Sequence, residues 1–425
     1  MDGNQKTARK RIGFVATRLA GMDGVSLETV KWVDILGALN YDCFYFAGEL
    51  EWPDEYSYHV PEAHFHHPDI LRLQADLFDD YVRSPETSDT IQKIKAHIKQ
   101  HLYRFHRRFQ PDLLIVENAL SIPMNVPLGL AITEFIAETN LPTIAHHHDF
   151  TWERERFAVS AANDYLRAAF PPTLPSVYHV VINSFAARQL ALRAGVSSVL
   201  IPNVMDFETP PSPPDAVTGQ LRAALNIAAD ESLLLQPTRI VPRKRIELAI
   251  NLARRLGRKC ALLISHAAGD EGRAYADFLR DYSEAMGVRT LFAADHFNHV
   301  RQTDSNGKTI FSLADVYQQA NLVTYPSRVE GFGNAFVETI YYRRPLVMSS
   351  YEIFRTDIQP KGFRVVAFED FITDDTVRQA ARLLDDAAHA AEIVTHNYAI
   401  AQKHYSFHAL ERHLSPLIST ALGVI

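Results

Sequence analysis

"YPSRVEGFGNAFVETI", residues 325–340, sets two glutamates, Glu330 and Glu338, on either side of the turn Gly331-Phe332-Gly333. Just before it, "NLVTY" (321–325) is a short apolar run of the kind that forms a buried strand. Just after it, "NAFVETIYY" (334–342) has the apolar spacing of a helix. Strand, glycine turn and helix in that order are part of a βαβ unit, and ligands of such units collect at the strand's carboxyl end. One carboxylate stands at that end and the second lies one turn into the helix.

The same alternation runs along the whole chain. "RIGFVAT" (11–17), "YDCFYFAG" (41–48), "DLLIVENA" (112–119), "LPTIAHHH" (141–148), "YHVVINS" (178–184) and "SVLIPN" (198–203) read as strands of a first half. "SLLLQPTRI" (232–240), "CALLISH" (260–266), "RTLFAAD" (289–295), "NLVTYPS" (321–327) and "RPLVMSS" (344–350) read as strands of a second. Their runs are nearly continuously apolar, as in parallel sheets covered by helices on both faces. The prolines of "DFETPPSPPDAV" (206–217) mark the linker. The expected organisation is α/β: a first Rossmann-like domain over 1–205, a second over 206–399, and a C-terminal helix at about 400–425 packing back on the first. Two doubly wound parallel-sheet domains would face each other across a cleft.

Composition narrows the function class. The chain has 425 residues, enough for two domains with cores of their own, and 47% of them are hydrophobic. A net charge of −7 disfavours a nucleic-acid partner. The two cysteines, Cys43 and Cys260, fall within strand segments and suggest a reducing, cytoplasmic setting. The polar start "MDGNQKTARK" lacks the apolar core of a signal peptide. The most apolar stretch (120–138) is interrupted by Pro123, Pro127 and two glutamates, so no membrane segment is expected.

Chemistry-bearing residues cluster at strand ends. Gly21 and Gly24 precede a helix after the first strand, and Gly331 and Gly333 open another. Glycines there let backbone N–H groups approach an anion, although they are also ordinary turn residues. Arg239 and Lys244, in "PTRIVPRKRIELAI" (237–250), offer cations that would grip a diphosphate from the side opposite the Gly-Phe-Gly loop; a solvated cluster with Arg243 and Arg245 is the plainer reading. "AHHHDF" (145–150) ends a strand with three histidines and Asp149. Adjacent strand residues alternate faces, so the three cannot converge on one ion, and no metal site is expected. "HFHHPD" (64–69) reads as a surface loop.

Taken together, these segments resemble the family-4 retaining glycosyltransferases of the GT-B fold. "PSRVEGFGNAFVE" is similar to that family's Glu-x7-Glu signature, "TRIVPRK" to its Arg and Lys pair, and "IPNVMDF" (201–207) to its crossover motif, with Val204 in place of the usual glycine. "HHHDFTWERERF" further resembles the mannosylglucosylglycerate synthase subgroup. The resemblance implies a transferase taking a hexose from a nucleotide-diphosphate sugar of the GDP-mannose or UDP-glucose type. It implies catalytic roles for His148, Glu330, Arg239 and Lys244: His148 on the donor sugar, Glu330 near its hydroxyls, and the two cations on the leaving diphosphate. Glu338 would hold the ribose, and the backbone of Gly331, Phe332 and Gly333, with Gly24, would approach the donor. Asp149 and one of Arg154 and Arg156 would lie toward a small, anionic, glycerate-type acceptor. The fold requires no cofactor, Mg2+ is left open, and a homodimer is compatible with the sequence. Two other readings are a catalytically inactive nucleotide-sugar binding protein and a transferase forming a neutral disaccharide.

Overall fold

Each apolar run named above contains a strand, and all the strands within each of the two main sheets run parallel. The structure, a computed structural model, describes residues 9–21, 23–268, 273–298, 300–305 and 307–423. The polar N-terminal segment 1–8 therefore lies outside the described residues. The chain divides into two units, Met1–Asn203 with Leu410–Ile425, and Val204–Ala409.

The first unit holds β1 (Arg11–Val15), β2 (Asp42–Ala47), β3 (Ser57–His59), β4 (Leu113–Glu117), β5 (Thr143–His147), β6 (Val177–Val181) and β7 (Ser198–Leu200). Their order across the sheet is β3-β2-β1-β4-β5-β6-β7. The second unit holds β8 (Ser232–Gln236), β9 (Cys260–Ile264), β10 (Thr290–Phe292), β11 (Phe297–Asn298), β12 (Gln302–Thr303), β13 (Thr309–Ser312), β14 (Leu322–Tyr325), β15 (Leu346–Ser349) and β16 (Val366–Phe368). Six of these form the parallel sheet β10-β9-β8-β14-β15-β16, and β11-β13-β12 form a small separate sheet. The sequence reading omits β3, β16 and the small sheet. These are strands of two to four residues.

Both main sheets reverse their winding once, between β1 and β4 in the first and between β8 and β14 in the second. Helices flanking that point leave on opposite faces, which opens a crevice beyond the carboxyl ends of the strands. The helices are held by packing more than by propensity. The helix Pro85–Phe109 starts at Ser84, whose side chain accepts from Thr87 N, and ends at Gln110 with φ near +50°. Its Ile98, Leu102, Phe105 and Phe109 pack with Val116 and Ala145 and with Leu128, Ile132 and Phe135 of the helix Val126–Thr139. In the second unit Ile246, Ala249, Ile250 and Ala253 face Leu234, Leu262 and Val347 in the same way.

One backbone approach fixes the loops beyond β2. A Cβ on Gly48 would lie 2.0 Å from the backbone N of His64, so the returning segment passes where any side chain would stand. Gly48→Ala should lower stability by about 1–3 kcal/mol through overpacking. Urea denaturation of the two proteins checks this, and an unchanged midpoint would contradict it.

Candidate active site

In the second unit, chemistry gathers where β8 and β14 turn away from each other. After β8 the chain makes a short turn, Pro242–Lys244, and Arg245 (φ +46°) redirects it into the helix Ile246–Arg255. After β14 it continues to Glu330. Because β8 and β14 are neighbours, Lys244 Nζ reaches Glu330 Oε1 in an ion pair, and Arg243 Nη1 stands 3.4 Å from Glu330 Oε2. Arg328 N donates to Arg243 O at 2.8 Å and ties the two loops together. Lys244 is only 7% exposed, with Nζ 5.5 Å from the ring centre of Tyr325. Burial alone would raise the Glu330 carboxyl, but Lys244 and Arg243 outweigh it and hold Glu330 below the ordinary carboxylate range. Burial pushes Lys244 down, with Glu330 opposing. Arg239 is exposed, and its charge acts on both Lys244 and His266. His266, just beyond β9, is a strand-end residue that the sequence reading passed over; burial, reinforced by Lys244 and Arg239, takes it down to about 4.

This arrangement corrects one expectation. Lys244 stands on the same sheet edge as the glycine loop, not opposite it, and meets Glu330, the residue before that loop. The strand order decides this, since β8 and β14 are separated by many residues but by one row of hydrogen bonds. Within the loop the three residues differ. Gly331 is exposed, whereas the Phe332 side chain is buried against Tyr405. Tyr351 Oη donates to Phe332 O at 2.7 Å. Gly333 has φ +113°, and a Cβ there would meet Tyr351 Oη at 2.5 Å, so the position demands glycine twice over. The helix Asn334–Tyr341 follows, and its Glu338 Oε2 accepts from Tyr317 Oη at 2.8 Å.

In the first unit the histidines separate by strand alternation. His147 turns to one face, where its Nε2 lies 2.9 Å from His179 Nδ1; burial, with His179 adding to it, pushes His147 well down. His146 and His148 turn to the other and meet Glu117, from the end of the neighbouring strand β4. His146 Nδ1 is 2.9 Å and His148 Nε2 3.2 Å from Glu117 Oε2. Burial would raise Glu117, but the two imidazoles bring it down to about 2. Burial would lower His148, but Glu117, with Glu28 and Asp149, raises it. Asn118, with φ +59°, accepts from His148 N at 3.0 Å through Oδ1, and donates from Nδ2 to Asp149 Oδ1 at 3.1 Å. Glu117 and Asn118 were missed in the sequence. The signal was available in "IVENA", where a glutamate ends a buried strand and an asparagine follows it. The alternation argument holds for the three histidines, but it left out a carboxylate from the next strand. Among the described residues, Glu117, His146 and His148 have ligand-type atoms all within 4.8 Å of one another.

Other predicted site residues fall as follows. Gly24 is the first residue of the helix Gly24–Ala38, whose N-cap Asp23 accepts from Val25 N and Ser26 N. A carboxylate of the chain itself thus occupies that helix end. The segment 151–157 is not one α-helix: Arg154 joins two successive single-turn helices, Thr151–Glu153 and Glu155–Phe157, and Arg156 lies in the second. Arg154 forms an ion pair with Asp149, and Arg156 stands 4.5 Å over the Phe157 ring. The Glu153 carboxylate accepts from Phe150 N at 2.7 Å, and burial, with Asp149 adding to it, pushes it up to about 7. The loop read as plain surface lines a depression of about 430 Å³ with Gly48, Glu49, His59, His64, His66 and His67.

Residues 217–399 match the family profile of the glycosyl transferases group 1. The chain is 31% identical to mannosylglucosylglycerate synthase of Thermotoga maritima, an alignment covering 95% of this chain and 99% of that protein. It is also 31% identical to mannosylglucosylglycerate synthase of Petrotoga mobilis, over 84% of this chain and 86% of that one. The chain belongs to the group 1 glycosyltransferases. Its fold is that of sucrose-phosphate synthase from Thermosynechococcus elongatus, with a TM-score of 0.66 at 15% identity over 98% of this chain and all of the other. This glycosyltransferase therefore has the GT-B architecture of two Rossmann-like parallel-sheet domains. Among its described residues no helix is long and apolar enough to cross a membrane.

The Lys244–Glu330 pair of this glycosyltransferase yields a stability test. Removing one member of a buried ion pair strands the other, at a cost of about 3–5 kcal/mol. Lys244→Met should destabilise the chain by about 3 kcal/mol, toward the low end because Arg243 still faces Glu330. The double variant Lys244→Met/Glu330→Gln should recover most of that loss. Urea denaturation of wild type and variants measures it, and equal stability of the single and double variants would refute the coupling.

Proposed function

We propose that this glycosyltransferase transfers a hexose, mannose foremost, from a nucleotide-diphosphate sugar to an anionic glycerate-type acceptor such as glucosylglycerate, with retention of anomeric configuration. The observation that carries this reading is the match, along nearly its whole length, to the Thermotoga maritima mannosylglucosylglycerate synthase. The unit Val204–Ala409 is proposed as the donor side and the first unit as the acceptor side.

Charge supports the division of labour. Departure of a nucleoside diphosphate leaves negative charge on phosphate oxygens, and Lys244 and Arg239 supply positive charge at one strand edge. A preorganised, largely desolvated cation stabilises such developing charge without reorganising as the bond breaks. Glu330 keeps Lys244 in place and has the oxygens to accept from sugar hydroxyls. Glu338, in the helix that follows, takes the ribose in this reading, and the Gly331–Gly333 backbone approaches the diphosphate. His148 meets the donor sugar as positive charge grows at the anomeric carbon. The leaving phosphate takes the acceptor's proton on the face from which it departs. One of Arg154 and Arg156 meets the acceptor carboxylate, for which a planar guanidinium is well shaped.

The test begins with the purified protein and a panel of GDP-mannose, UDP-glucose and ADP-glucose, offered with glucosylglycerate, glycerate or glucose. Nucleoside diphosphate release should be fastest with GDP-mannose and an anionic acceptor, and proton NMR should show an axial product linkage. Lys244→Ala should cut turnover ~100-fold or more. Arg154→Ala or Arg156→Ala should raise the acceptor KM while leaving the donor KM in place. A neutral sugar preferred as acceptor, with both arginine variants unimpaired, would replace this reading with formation of a neutral disaccharide.

A further inference from the structure

β4 and β5 pair in parallel, with Glu117 directly across from His146. Partners across a parallel ladder project from the same face, and alternation returns His148 to that face two residues later. One sheet edge therefore carries a carboxylate and two imidazoles side by side. All three side chains are at least nine-tenths buried.

Hydrogen bonding accounts for only part of this cluster. His148 Nε2 bonds Glu117 Oε2. His146 Nδ1 lies 2.9 Å from the same oxygen, and the Nε2 of that ring is buried without a hydrogen-bond partner. Glu117 Oε1 is buried without a partner as well. Buried polar atoms in native structures are nearly always satisfied, so a carboxylate oxygen left over beside two imidazoles that share its other oxygen calls for a further partner. The spacing suits a cation. With metal–ligand bonds of about 2.0–2.1 Å, a tetrahedral zinc site has neighbouring ligand atoms about 3.3 Å apart. Here two of the separations are 2.9 and 3.2 Å, and all lie within 4.8 Å.

We propose that Glu117, His146 and His148 form a binding site for a divalent transition-metal ion of the zinc class. Two imidazoles and one carboxylate select such ions over magnesium or calcium, which prefer all-oxygen shells. The cluster is preorganised: the Trp32 ring stacks on His146 at 4.3 Å, and Asn118 fixes the backbone of His148. Three protein ligands leave a fourth position for water or a ligand hydroxyl. The ion takes Nε2 of His148 and leaves that ring's Nδ1 for other contacts. This site goes beyond the glycosyl-transfer reading and does not depend on it, because metal uptake is measured without turnover.

The experiment is isothermal titration of Zn2+ into chelator-stripped protein. Wild type should take up one Zn2+ per chain. Glu117→Gln and His146→Gln should each weaken that uptake by more than the ~10–100-fold that loss of an outer-shell partner brings. A His64→Gln/His66→Gln variant, which removes imidazoles from the other histidine cluster, should bind Zn2+ as wild type does. X-ray absorption of the zinc-loaded wild type decides the matter even where a substitution prevents folding. Two imidazoles and one carboxylate oxygen on zinc uphold the assignment. No stoichiometric uptake, a different ligand set, or uptake lost only in the His64/His66 variant overturns it.

Discussion

Everything at the candidate sites depends on one constraint, that within each main sheet the hydrogen-bonded strands all run the same way. A parallel ladder forbids tight hairpins, so each strand must be followed by a crossover before the next begins. Every carboxyl end then falls on one edge of its sheet, with neighbours about 4.8 Å apart. Residues separated by dozens of positions become adjacent there: Lys244 with Glu330 in one unit, Glu117 with His146 and His148 in the other. Reversal of the winding at β1/β4 and at β8/β14 leaves that edge uncovered where the helices part.

Both clusters place charge where water is scarce. A buried carboxylate is costly unless a cation or hydrogen bonds answer it. Glu330 is answered by Lys244 and Arg243, and Glu117 by imidazoles, and both carboxyls are held below their ordinary range as a result. Apolar residues of the same size would pack at least as well, so stability alone does not explain these groups. Desolvated charges held by specific partners at the open end of a sheet are what ligand binding and charge stabilisation require. The same logic explains Gly333, whose positive φ and crowding by Tyr351 keep the chain tight against its neighbours just before a helix begins.

How much of this could be read from the sequence varies with the distance over which each feature is decided. Strand runs such as "LLIVE" and "CALLI" are legible because burial on both faces leaves nothing but apolar side chains over several consecutive positions. The glycine turn between Glu330 and Glu338 is legible because strand, glycine and helix signals follow one another directly over residues 321–342. β3, β16 and the strands of the small sheet were not read from the sequence. At the sites, residue types were visible and partners were not. Lys244 was recognised as a cation, but its pairing with Glu330 was not. His148 was recognised, but Glu117 was not.

The sequence by itself determined the fold class, the parallel character of the strands and the strand-end positions of the principal charged groups, because local burial pattern and backbone freedom specify them. It also determined that His147 turns away from His146 and His148, since alternation is a property of any extended chain. Tertiary structure alone decided which strand lies beside which. That order is a balance of helix packing and crossover handedness summed over a whole unit, and no short stretch encodes it. It puts Lys244 beside Glu330 and sets Glu117 across from His146.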